Sequence, residues 1–171
     1  MTRIALAIAL VASVAQSTAV AATEFYVGEP VVKNGMQIVP NYLLGVEMEG
    51  RHAHGPDVVH IEVDVHAAKD EAHGFAEDAW IPNLTVNYTL EKVGSRFKAS
   101  GKLSAMTAKD GPHYATNVKF NGPGEYKLTY RFRPPSSTGF LRHVDKPTGV
   151  PEWWQPFTES WTFQFPSKEK G

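Results

Sequence analysis

The chain has 171 residues, a formal net charge of -1 and no cysteine. That length sustains one domain with a real core, and the near-neutral charge, with no lysine-rich or arginine-rich run, gives no field for nucleic acid or an anionic membrane. Without thiols there are no disulfide staples, cysteine zinc sites, iron–sulfur clusters or blue-copper centres, so any metal must be held by His, Met, Asp, Glu or backbone.

The first segment reads as an export signal. Arg3 supplies the positive end, and Ile4 to Ala15 is an apolar run broken only by Ser13. The run is too short for a spanning helix, which needs about 20 apolar residues. Ala19-Val20-Ala21 is a small-residue cleavage site, so residues 1–21 are expected to be removed as a signal peptide, leaving a single domain over 22–171. No cysteine follows that site to carry a lipoprotein anchor. The expected destination is the periplasm, without membrane insertion.

Strands and turns fill the rest. Gly28-Glu29-Pro30, Gly111-Pro112, Gly122-Pro123-Gly124 and Pro134-Pro135 punctuate the chain. Met36 to Met48 is expected to hold one or two strands interrupted at Pro40. Val58 to Ala67, Leu84 to Lys92, Tyr126 to Arg133 and Trp161 to Phe165 show two-residue alternation. No amphipathic helix of useful length, internal repeat or interdomain linker is evident. Short strands at this spacing indicate an all-β chain, a two-sheet sandwich or barrel.

Chemistry concentrates in a few places. On the strand Val58–Ala67, Ile61, Val63 and Val65 share one face, and His60, Glu62, Asp64 and His66 share the other. Same-face neighbours lie about 7 Å apart, so His60 and Glu62 can lean toward one ion or serve two adjacent ones. A water-facing polar face is the plain alternative for an isolated antiparallel strand. The turn signal Asp110-Gly111-Pro112 can bring Met106 and His113 together across a hairpin or loop. Met is a soft thioether ligand and imidazole suits copper, zinc or iron, whereas either residue alone is better read as core packing or a hydrogen-bonded loop. His143 lies between turn-like segments, and His52-Ala53-His54 is a weaker H-x-H pair on a Gly-rich loop. Trp153, Trp154, Phe157 and Trp161 are expected to pack at one end of the sandwich.

These residues also carry a resemblance. His60-Ile61-Glu62-Val63-Asp64-Val65-His66 resembles an H-x-E-x-D-x-H strand. Leu103-Ser104-Ala105-Met106 with Asp110-Gly111-Pro112-His113-Tyr114 resembles an L-x-x-M…D-G-P-H-Y signature. Arg142-His143-Val144-Asp145, Thr148-Gly149-Val150 and Trp154-Gln155-Pro156-Phe157 resemble the C-terminal block of the same family, and Glu47-Met48-Glu49 and Trp80-Ile81-Pro82 fit it too. The family is that of the periplasmic iron-transport proteins typified by the 19-kDa copper-containing protein of Campylobacter; the chain is also similar to the 34-kDa treponemal metal-binding lipoprotein.

The resemblance implies a homodimeric immunoglobulin-like β-sandwich. It implies a copper site with His60, Met106, His113 and His143 as ligands and Glu62 nearby, able to bind a second metal; His66 and Asp110 are secondary candidates. It further implies iron uptake with an inner-membrane iron permease, with iron, or manganese or zinc in its place, beside the copper. Positions 50–57 depart from the family pattern, and Ala115 stands where glycine is common. A copper-buffering or copper-delivery protein without an iron role is the alternative. No hydrolytic triad is evident, and a copper-assisted redox change of iron is the enzymatic role open to a ligand set of Met and His, which supports both copper states.

Overall fold

The computed structural model describes residues 23–50, 53, 55 and 57–167. The expected signal peptide and the His52/His54 pair therefore lie outside the described residues. Ten strands form in chain order: β1 (Glu24–Tyr26), β2 (Val31–Lys33), β3 (Met36–Leu44), β4 (Val58–Ala67), β5 (Thr85–Lys92), β6 (Lys98–Lys102), β7 (Ser104–Ala108), β8 (Gly111–Lys119), β9 (Gly124–Arg133) and β10 (Phe157–Phe165). The only helical element among the described residues is the short 3-10 turn Pro135–Thr138.

All pairings are antiparallel. One sheet runs β1-β3-β4-β8-β7, with β2 also on β3; the other runs β10-β9-β5-β6. Together they make the all-β, immunoglobulin-like sandwich that the alternation and the resemblance lead one to expect. Val59, Ile61, Val63 and Val65 of β4 are fully buried against Val86, Leu90, Leu128, Tyr130 and Phe132 of the opposite sheet. Each such side chain contributes about 1.5–3 kcal/mol by leaving water, which is how a chain without disulfides holds together.

Buried tyrosines tie the layers. Tyr114 Oη donates to the Ile81 carbonyl at 2.8 Å and accepts the Leu84 N–H at 3.0 Å. Tyr130 Oη, on β9, donates to the Glu62 carbonyl of β4 at 3.1 Å, so the strand bearing the H-x-E-x-D-x-H face is fixed from behind by the second sheet.

The expected break at Pro40 does not occur: β3 runs through it, with Pro40 opposite Val63. The Pro40 carbonyl accepts the Val27 N–H at 2.9 Å on the edge of β3 away from β4. On that edge β2 pairs with Met36–Ile38 and β1 with Asn41–Leu43. Pro40 falls in the gap between them, where no ladder bond needs its missing N–H.

Candidate metal centre

The outer face of the larger sheet carries the chemistry, and register decides which residues meet there. Antiparallel partners point to the same side. One row across the sheet is Glu24, Leu43, His60 and Asn117; the next is Asn41, Glu62, Ala115 and Ser104. Met106 lies directly opposite His113. The hairpin turn falls on Lys109-Asp110, one residue before the expected position, and Gly111 follows at φ 140, a backbone conformation that a side chain would strain. Pro112 is harmless there because β8 has β7 but not yet β4 beside it.

This face is not the water-facing one that an isolated strand suggests. His60 is 4 % exposed, Glu62 6 % and His113 6 %, while Met106, Asp64 and His66 are half-buried. The Glu62 Oε2 atom lies 3.6 Å from Nε2 of His60 and 3.6 Å from Nε2 of His113, too far for hydrogen bonds. One ligand atom from each of the three falls within 4.8 Å of the other two. Nε2 of His113 is buried with no hydrogen-bond partner, an expensive arrangement for a polar atom unless something else satisfies it.

Protonation is set from the side. Nδ1 of His60 lies 2.8 Å from Oδ1 of Asn117, and Asn117 Nδ2 donates to the Ala53 carbonyl at 3.0 Å. The amide is thereby oriented with its oxygen toward the imidazole, so Nδ1 carries the proton, and Nε2 is the ring nitrogen that lies beside Glu62. Sequence reasoning missed Asn117; its place four residues after His113 on the same strand face was the available signal. Replacing Asn117 with Ala is expected to weaken copper binding about 10–100-fold, the usual cost of a lost supporting partner, with the circular dichroism of the apo protein unchanged. Undiminished affinity in a chelator competition would show that Asn117 does not set the ring.

A second group adjoins the first and shares Glu62. Carboxylate oxygens of Glu24, Glu62 and Asp64 lie within 4.8 Å of one another. Glu24 and Asp64 open onto a cleft of about 320 Å³ whose lining also includes Gln37, His66, Asp110 and Pro112. Asp64 Oδ2 accepts from Asn41 Nδ2 at 3.0 Å. Burial, then the charges of Asp64, Glu24 and Asp110, push Glu62 up to about 8. Burial, with Asp64 and Asp110, also raises Glu24. Burial raises Asp64 as well, although His113 and His66 pull it down. Three acids crowded in this way, with the charge of Asp110 nearby, favour either a proton or a cation. Glu24 and Asn41 were not legible as site residues, since β1–β3–β4 register brings them in.

The structure thus gathers His60, Glu62, His113 and, by register, Met106, with Asp110 and His66 at the adjoining cleft. His143 is not among them. It sits in the loop before β10 with its side chain 74 % exposed. Its Nδ1 lies 2.7 Å from Thr148 Oγ1, whose hydroxyl donates to the Asp145 carboxylate at 2.9 Å. Nδ1 is therefore the donor, which leaves Nε2 as the ring nitrogen available to a ligand. Ala115, at the position where glycine is common, is fully buried in β8 without a positive φ, so that departure costs the backbone nothing.

The donors fit a metal: two imidazole nitrogens and a thioether are soft enough for copper, and the carboxylates are harder, suited to iron. A family model described as Fe2+ transport protein matches residues 21–167. The FetP protein of uropathogenic Escherichia coli strain F11, expressed in the E. coli periplasm, superposes with a TM-score of 0.79 at 42% identity, over 83% of this chain and 95% of that one. The copper-reconstituted P19 protein of Campylobacter jejuni superposes with a TM-score of 0.78 at 38% identity, over 84% and 96%. A 34 kDa membrane antigen of Treponema pallidum is 34% identical over 148 residues, 81% of this chain and 72% of that protein.

Proposed function

Because this chain belongs to the Fe2+ transport protein family, we propose that it is a periplasmic metal-binding protein that holds copper and passes iron to an inner-membrane iron permease. The observation that carries this reading is the sharing of Glu62 between two donor sets of different hardness. His60, His113 and Met106 form the soft set, and Glu24, Glu62 and Asp64 the hard one. FetP and P19 have both been obtained with copper, which supports copper at the soft set. Among the described residues no helix is long and apolar enough to cross a membrane.

Each residue has a stated part. His60 and His113 present Nε2, and Met106 adds sulfur from the facing strand. Copper bound there would supply a one-electron couple. Glu24, Asp64 and Asp110 make the cleft anionic, drawing a ferrous or ferric ion toward Glu62. The fourth copper ligand, His143, comes from a second copy of the chain in a homodimer. Support for that part lies in its available Nε2 and in Leu141 and Val144 beside it, 88 % and 77 % exposed, an apolar flank suited to burial against a partner.

Deletion in the parent bacterium tests the reading. Growth in iron-chelated medium is expected to fall and to recover on iron supplementation. Parent-like growth there, with sensitivity appearing under copper stress instead, would replace it with copper buffering or delivery.

A further inference from the structure

An exposed histidine has no packing to hold it, so its pose must come from its loop. The segment between the 3-10 turn and β10 is braced from within. Val150 N–H donates to the His143 carbonyl at 3.1 Å, Gly149 N–H to the Asp145 carbonyl at 2.8 Å, and Arg142 Nη1 to the Val150 carbonyl at 3.0 Å. A Cβ on Gly149 would collide with the Asp145 carbonyl, which accounts for the glycine of Thr148-Gly149-Val150. Bracing alone gives the loop a shape and leaves its orientation on the sandwich undetermined.

One cluster supplies that orientation. Glu71 Oε2 accepts the N–H groups of His73 and Phe75 at 2.7 and 3.1 Å, and its Oε1 lies 2.7 Å from His73 Nδ1. Both side chains are largely buried, 4 % exposed for Glu71 and 9 % for His73. On the far side of the ring, Nε2 faces the Glu152 carbonyl at 3.3 Å. Whichever ring nitrogen carries a proton has an acceptor before it. The ring also lies flat on Trp153, with centroids 4.4 Å apart and planes 7° apart, and Trp153 reaches Phe140 at 6.3 Å on the other arm of the loop. The cluster is therefore bonded to the segment after β4 on one side and to both arms of the His143 loop on the other. None of these three residues belongs to the His60–Glu62–His113 set.

We propose that Glu71, His73 and Trp153 form a clasp that orients the loop carrying His143, making His73 a positioning residue for the donor that the loop presents. The inference rests on the reading of His143 as a copper ligand, and the test separates the two. Copper(II) affinity and the visible spectrum of the full-length mature protein are measured for wild type, His143→Ala, His73→Phe and the double variant, with apo melting temperatures alongside. His73→Phe keeps the stacking and removes both polar contacts. It is expected to weaken copper about tenfold, within the range for supporting residues, and to shift the visible band as His143→Ala does. In the His143→Ala background it is expected to add less than about a twofold change, the signature of two residues acting through one interaction. Should His73→Phe not fold, Trp153→Leu reads the same coupling by removing the stacking face. An equal loss in both backgrounds, or no loss in either, overturns the clasp while leaving His143 a ligand. Unchanged affinity in His143→Ala alone overturns the ligand reading and the clasp with it.

Discussion

Replacing Met106 with Leu and His113 with Ala in one chain is expected to lower copper affinity at least about a thousandfold, equivalent to roughly 4 kcal/mol of binding free energy. A lost supporting partner alone costs 10–100-fold, and here two direct donors go. The fold should survive. Met106→Leu is close to volume-conserving, and the Nε2 atom of His113 makes no hydrogen bond in the structure, so removing it forfeits none there. Separating the two changes adds information. Met106→Leu should weaken Cu(I) more than Cu(II), because the thioether is the softer donor, whereas His113→Ala should weaken both. Titration against a competing chelator, with elemental analysis of the purified protein, measures the loss. Near-stoichiometric copper retained by a correctly folded double variant would place the metal elsewhere on the molecule.

Glu62→Gln is expected to make the apo protein more stable, by an amount that depends on pH. Glu62 sits at about 8 in the folded protein because of burial and the neighbouring carboxylates, while in the unfolded chain it returns to the ordinary carboxylate range near 4.3. Below that range the group is neutral in both states and costs nothing. Between the two values the folded protein keeps a proton that the unfolded chain has released, so stability falls as pH rises. Above about 8 the full cost is present, on the order of 3–5 kcal/mol. Glutamine is neutral throughout and escapes it. The variant's melting temperature should therefore match wild type near pH 4 and exceed it near pH 8 by roughly 6–12 °C for about 3 kcal/mol in a domain of this size. The same substitution removes the oxygen charge shared by the two donor sets, so iron or manganese binding should drop while copper is largely spared. Equal loss of both metals would contradict separate roles for the soft and hard sets. A pH-independent stability difference would contradict the buried, crowded carboxylate.

Periodicity alone was enough for much of the scaffold. The alternation of Val58–Ala67 and Tyr126–Arg133 placed their strands because side-chain direction reverses at every residue whatever the strand pairs with. For the same reason His60, Glu62, Asp64 and His66 could be assigned to one face. That Met106 and His113 could meet was also legible from the turn signal between them, but their direct pairing was not, because the turn falls one residue earlier than that signal suggests. β6 went unread, for Lys98–Lys102 offers no apolar alternation.

Neighbours along the chain were enough to set the all-β class, the residues on each strand face and the choice of His, Met and carboxylate as the available ligands. Folding in three dimensions was needed to bury the His60–Glu62 face, to put Pro40 in a gap between two edge strands, to set Asn117 against Nδ1 of His60, and to bring in Glu24 and Asn41 through β1 and β3. It also set His143 apart from the cluster, on a loop clipped to His73. These are contacts between distant segments, fixed by strand register and packing. A register shift of one residue would turn every one of the strand side chains to the opposite face without altering a letter of the sequence.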